Sequence, residues 1–258
     1  KFITLEVRGD FAFAELPCGT KLYGYISHPY HKRAFKYVKD TLQDFITEDT
    51  FLLSIDVAQR FDSNYAWPKT MNKKKFNVVV ECGAYLGHKT IRFCNELLSP
   101  KGIIYAYEMM PDNYEILKMN IKANNLQKRI IPIQCGVLDE KKVIEVNGYG
   151  RQRNTITDLE KLKNPLGLKV KVFPFSHLIN EIKGYDAIDL CFVTINGAEV
   201  KALSTIKKCK KVIKQFFIAA PYMTDKKRNL DLCLDILKEN KYKIFPVKGK
   251  KIEASIES

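Results

Sequence analysis

Two acids and two glycines carry the chemistry that can be read first in this chain. Glu81, Gly83 and Gly87 form a Glu-x-Gly-x-x-x-Gly run directly behind Val78, Val79 and Val80, and Glu108 closes the next apolar run at 103–107. Glycines let a backbone approach a ligand that a Cβ would push away. An acid at the end of the following strand is placed to bond the two hydroxyls of a ribose. A dinucleotide fingerprint would need glycine where Tyr85 stands, so that the backbone could meet a pyrophosphate. The run therefore suits a nucleoside ligand with no phosphate to hold, the pattern of an S-adenosylmethionine turn. A Gly-x-x-x-Gly alone would signify only a tight strand-to-helix turn, and it is the two acids that point to a ligand.

The elements that must position these residues follow from apolar spacing. Val78, Val79 and Val80 read as a short buried strand; after the glycine turn, Ile91, Cys94 and Leu98 recur at helical spacing. Pro111 stands at the first position of a second helix, with Tyr114, Leu117 and Ile121 as its buried stripe and Asn124 and Asn125 near its end. Residues 129–134 form a third strand, whose tail Cys135-Gly136-Val137 would pass beneath an adenine. Residues 139–170 break the rhythm: 143–146 suggests a hairpin, 148–157 is polar and basic with Arg151 and Arg153, and 168–173 alternates as a strand. A loop of this size usually carries function or is disordered, and here it would make a lid. Residues 188–193 form a buried strand ending in Thr194-Ile195-Asn196-Gly197-Ala198-Glu199, with a helix through Leu203. A strand at 212–219, a helix striped by Leu230, Cys233 or Leu234, and Leu237, and two strands at 242–247 and 252–256 complete the order. Apolar strands alternating with amphipathic helices predict a parallel sheet covered on both faces. Its ligand crevice lies at the carboxyl ends of the strands, where Glu81, Glu108, Cys135 and Asn196 all fall.

Residues 1–75 do not follow this alternation. Ile3, Leu5 and Val7, then Phe11 and Phe13, then Leu22 and Tyr25 predict a small antiparallel sheet. Phe35, Val38 and Leu42 mark a helix at 33–46, followed by an aromatic loop at 60–69 and a basic linker at 69–75. The chain thus divides into an N-terminal α+β extension at 1–75, a substrate lid or oligomerisation element, and a domain at 76–258.

Composition bounds the function classes. With 258 residues the chain can bury one substantial core. No apolar stretch is long enough for a membrane span, and no signal peptide is recognisable. The seven cysteines are scattered singly, with no Cys-x-x-Cys, and read as buried thiols in a reducing, cytoplasmic setting; no metal site is expected. The net charge of +14 raises nucleic acid as a partner, but lysine clusters dispersed over helix ends and loops read better as a solvated surface.

Residues 77–220 resemble the FkbM-type S-adenosylmethionine-dependent methyltransferases. The matching pieces are Val80-Glu-Cys-Gly-Ala-Tyr-Leu-Gly87, then Ala106-Tyr-Glu108 with 111–120, and the more family-specific Gly197-Ala198-Glu199 behind a buried strand. The resemblance implies a class I, Rossmann-like fold with a seven-stranded, mostly parallel sheet and helices on both faces. It places Gly83 and Gly87, with Ala84 and Tyr85 between them, near the methionine part of the cofactor, Glu108 on the ribose and Met109 beside the adenine. With Glu81, Cys135, Gly136 and Asn196 these make up the expected cofactor site. The implied activity is O-methylation of a hydroxyl on a small molecule or glycan; a peptide or RNA acceptor, or cofactor binding without catalysis, are the alternatives. The family usually shows Lys-Ile-Asp-Val-Glu-Gly-Ala-Glu where this chain has Phe192 to Glu199, so Phe192, Thr194 and Asn196 replace polar or charged residues. An alcohol acceptor needs a general base, for which Glu199, His28, Tyr30 and His31 are the candidates; Asn196 is counted with Glu199 and His31 among the expected catalytic residues. Each has a plainer reading: Glu199 as a cap or lysine partner, His28 and His31 as a surface pair.

Overall fold

The computed structural model describes residues 4–9, 11–16, 18–25, 75–147, 165–220, 223–224, 226–245 and 251–256. The chain opens on the small antiparallel sheet that alternation predicts: β1 (Thr4–Arg8), β2 (Phe11–Glu15) and β3 (Lys21–Tyr25), with Phe13 opposite Tyr23. Next come β4 (Phe76–Cys82), α1 (His88–Glu96), β5 (Leu98–Glu108), α2 (Pro111–Ala123) and β6 (Ile130–Gln134). A second small sheet, ordered β7-β9-β8, is made by β7 (Gly136–Leu138), β8 (Lys142–Asn147) and β9 (Pro165–Pro174). After α3 (Phe175–Glu181) follow β10 (Ala187–Ile188), β11 (Leu190–Val193), α4 (Glu199–Leu203), a 3-10 turn at Ile206–Lys208, β12 (Val212–Ile213) and β13 (Gln215–Ala219). The hairpin β14 (Met223–Thr224) and β15 (Lys227–Arg228) leads into α5 (Asn229–Glu239), β16 (Tyr242–Ile244) and β17 (Lys251–Ile256).

The main sheet is seven-stranded, ordered β16-β17-β13-β11-β4-β5-β6. Strands β13, β11, β4, β5 and β6 run parallel, and β17 is antiparallel to both its neighbours. That order, with its reversed strand at β17, is the class I methyltransferase arrangement. Successive residues of a strand face opposite ways, so Val79 and Phe192 join the core under α1 and α2, while Val78, Val80 and Cys82 join the core under α3, α4 and α5. On the first face Phe93, Phe192 and Phe217 pack in series at ring separations of 5.1 and 5.6 Å. On the second, Phe175, Phe216 and Tyr242 do the same at 6.1 and 5.2 Å. Burying each of these side chains contributes about 1.5–3 kcal/mol. The helices therefore follow from the apolar stripes that cover a two-sided sheet. No helix among the described residues is long and apolar enough to cross a membrane.

Several expectations shift in detail. The run read at 103–107 belongs to the longer β5, whose first residue Leu98 pairs with Phe76 before a bulge. Tyr114 is only partly buried; the stripe of α2 is Ile116, Leu117 and Ile121, joined by Asn113 and Asn120. Residues 188–193 are interrupted at Asp189, whose Oδ2 accepts from the amides of Asn77 and Val78 at 2.7 and 3.1 Å while Oδ1 pairs with Lys214 at 2.7 Å. The partner of 143–146 is β9, so the hairpin encloses the basic stretch. That stretch, the helix at 33–46, the loop at 60–69 and the linker at 69–74 lie outside the described residues, as does His31.

Candidate active site

Strand order reverses between β4 and β11, the switch point at which open α/β sheets bind ligands. The turn 83–87 leaves β4 there. Gly83 and Ala84 both donate their amides to the carbonyl of Tyr107, at 2.9 and 3.0 Å, which pins the turn to the end of β5. Gly83, Tyr85 and Gly87 have φ of 87, 55 and 84°, in the left-handed region that glycine enters without cost. A Cβ at Gly83 would overlap the Thr194 carbonyl oxygen, and one at Gly87 would overlap the Leu117 side chain. Both glycines therefore have a packing reason inside the protein: close approach of the turn to β11 and to α2. Ala84 is buried in the core beneath them.

Glu108, at the end of β5, reaches back to this turn. Its Oε2 accepts from the Tyr85 amide at 2.8 Å, and its Oε1 accepts from the Met110 amide at 3.0 Å and Asn113 Nδ2 at 3.1 Å. Burial raises its pKa, opposed by the bonds from Met110, Asn113 and Tyr85. A carboxylate offers about four acceptor positions, so one remains for a hydroxyl. Next to it Met109 lies against Gly136, with Cys135 one residue before. The Cys135 thiol is pushed up to about 12 by burial, which leaves it an apolar wall and no nucleophile. Glu108 and the 83–87 turn are thus neighbours at the carboxyl ends of β4 and β5, with Met109 packed beside Gly136.

Glu81, expected among the cofactor contacts, is held elsewhere. It is 1% exposed; Oε1 pairs with Lys89 Nζ at 2.9 Å and Oε2 accepts from Thr90 Oγ1 at 2.5 Å. Lys89 also donates to Thr194 Oγ1 at 3.3 Å and sits 5.0 Å from the centre of the Phe192 ring. Two of the departures from the family pattern, Phe192 and Thr194, are therefore the surroundings of this buried ammonium. The Lys-Thr pair just past Gly87 was the sequence signal for it, hidden by its place on a helix that spacing marks only as amphipathic.

The loop after β11 bends at Asn196 and Gly197, with φ of 52 and 106°. Glu199 binds that loop: Oε1 accepts from the Ile195 amide at 3.1 Å and Oε2 from the Gly197 amide at 2.9 Å. Asn229 Nδ2 donates to the Gly197 carbonyl at 3.1 Å, and Thr224 Oγ1 donates to Asn229 Oδ1 at 2.7 Å. Burial raises the Glu199 carboxyl to about 7, against these same amide bonds. Of the expected catalytic residues, Glu199 is therefore a latch on the 195–197 loop, and Asn196 is part of what it latches.

No protein-family model matches the chain, and no curated protein matches it. Similar solved structures include fibrillarin of Aeropyrum pernix, in complex with natively bound S-adenosyl-L-methionine, at 11% identity over 98% of this chain and 99% of that one, TM-score 0.43. Methyltransferase FkbM of Methylobacillus flagellatus KT is 16% identical over 89% of this chain and 55% of that one, TM-score 0.48. A SAM-dependent methyltransferase of Aquifex aeolicus is 12% identical over 73% and 87%, TM-score 0.42.

Proposed function

We propose that the chain is an S-adenosylmethionine-dependent methyltransferase that methylates a hydroxyl of a small molecule or glycan, with 76–258 as its catalytic domain. The observation that carries this is the Glu108 carboxylate turned onto the 83–87 turn at the switch point, 2.8 Å from the Tyr85 amide and with an acceptor position to spare. In this reading Glu108 takes a ribose hydroxyl at its remaining acceptor position, Met109 and Cys135-Gly136 flank the adenine, and Gly83 to Gly87, with Asn196, border the methionine part. Bound there, the cofactor supplies a methyl group made electrophilic by its sulfonium. The chain's own residues align the acceptor with that methyl and exclude water. An alcohol gives up its proton as the new C–O bond forms and the S–C bond breaks, which calls for a base. Glu199 holds the 195–197 loop, and the other candidates for that role, His28, Tyr30 and His31, lie outside the described residues.

Titration calorimetry tests the reading. Wild type binds S-adenosylmethionine, and Glu108→Ala weakens binding by about 1–3 kcal/mol, the loss of a charged hydrogen bond. Equal affinity in the two proteins would remove Glu108 from the site. Release of S-adenosylhomocysteine with hydroxylated acceptors then separates an enzyme from a cofactor-binding protein. A second reading, an RNA or peptide acceptor, is favoured by the net charge of +14, and the same assay with those acceptors decides between them.

A further inference from the structure

The N-terminal sheet is joined to α2 by side chains that imitate a strand. The Lys21 amide donates to Asn124 Oδ1 at 2.9 Å and the Lys21 carbonyl accepts from Asn124 Nδ2 at 2.7 Å. Two residues on, the Tyr23 amide donates to Asn120 Oδ1 at 2.5 Å and its carbonyl accepts from Asn120 Nδ2 at 3.1 Å. Four helical residues rise about 6 Å and two strand residues span about 6.6 Å. Asparagines at i and i+4 therefore match alternate residues of β3.

The two asparagines differ in their remaining N–H. Asn124 gives it to the Asn120 carbonyl, within its own helix, at 2.8 Å. Asn120 gives it to the Leu86 carbonyl at 2.7 Å, inside the glycine turn. Leu86 lies ahead of the α1 ladder, whose first acceptor is Gly87, bonded by the Ile91 amide at 2.9 Å. Asn120 and Leu86 are both fully buried, so no water can take over that bond.

We propose that Asn120 is a positioning residue for the cofactor turn, linking the docked N-terminal sheet to the backbone between Tyr85, which bonds Glu108, and α1. The sheet is thereby part of the cofactor site. This rests on the reading of 83–87 and Glu108 as that site.

Asn120→Asp and Asn124→Asp form a matched pair. Each keeps the oxygen facing β3 and loses both N–H donors, but only the first strips Leu86 of its partner. With S-adenosylhomocysteine as probe, Asn120→Asp raises Kd about tenfold, the scale of one lost buried hydrogen bond, and Asn124→Asp by less than about twofold, though both lower Tm. Equal Kd in the two variants overturns the inference, since a merely structural role would move both alike. A measurement on wild type stands beside it should Asn120→Asp fail to fold. Amide hydrogen exchange resolved by NMR slows more at Tyr23 than at Lys21 when S-adenosylhomocysteine is added, and equal or absent slowing overturns the inference. Failure of wild type itself to bind the probe defeats the cofactor reading first and this inference with it.

Discussion

Lys89 shows what a single residue can be asked to do beneath the 83–87 turn. It is 9% exposed and pairs with Glu81, which is 1% exposed. Removing one member of such a pair leaves a buried charge uncompensated, which costs about 3–5 kcal/mol, whereas replacing both by apolar groups is often neutral. Lys89→Met therefore destabilises the protein by that amount in chemical denaturation, and adding Glu81→Leu recovers most of the loss. A single variant as stable as wild type would show that the pair contributes no more than a surface bridge. The acid was legible at Glu81 from its place before Gly83. Its commitment to Lys89 was not, because spacing records which residues share a face and not which of two buried ions meet.

At the scale of elements, the turn and the loop it touches make separate demands. A Cβ at Gly83 meets a backbone carbonyl of the loop after β11, which cannot move without shifting that strand end, whereas one at Gly87 meets the flexible end of Leu117. Both substitutions also suffer the left-handed penalty of about 1–2 kcal/mol. Gly83→Ala is thus expected to lower stability more than Gly87→Ala, by at least about 1 kcal/mol in denaturant midpoints; the reverse order would contradict the packing described. The loop is latched by Glu199, whose carboxyl is raised to about 7 from an ordinary 4.5. The folded protein then holds a proton between those values that the unfolded chain has released, so stability falls as pH rises from about 4.5 to 7 and is level above it, by up to about 3 kcal/mol. Comparing denaturation of wild type and Glu199→Gln from pH 4.5 to 8 checks this: the variant should lack that slope, and parallel curves would refute the assignment.

The whole molecule is less divided than its sequence. The extension at 1–75 reads as separate because its alternation has period two and the βα rhythm starts only at Phe76. Yet Leu16 and Leu22 belong to the same buried cluster as Val79 and Leu117, so the boundary lies along the chain and not through the core. A ligand that binds only the folded chain stabilises it against unfolding. S-adenosylhomocysteine at 100 times its Kd is expected to stabilise wild type by about 2.7 kcal/mol, read as a rise in Tm, and Glu108→Ala at the same concentration should show a smaller rise. No rise in wild type would count against the site.

The parallel sheet, the turn 83–87, the acid at Glu108 and the strand ends around them can be read from the amino-acid order alone. Each of these depends on neighbours within a few residues or on a repeating apolar period. That Glu81 faces Lys89, that Glu199 latches a loop, and that Asn120 and Asn124 receive β3 emerges only once the chain is folded. Those partners are chosen by which buried hydrogen-bonding groups come within reach of one another once distant segments pack, and an unmet one would carry a desolvation cost that no local pattern reveals.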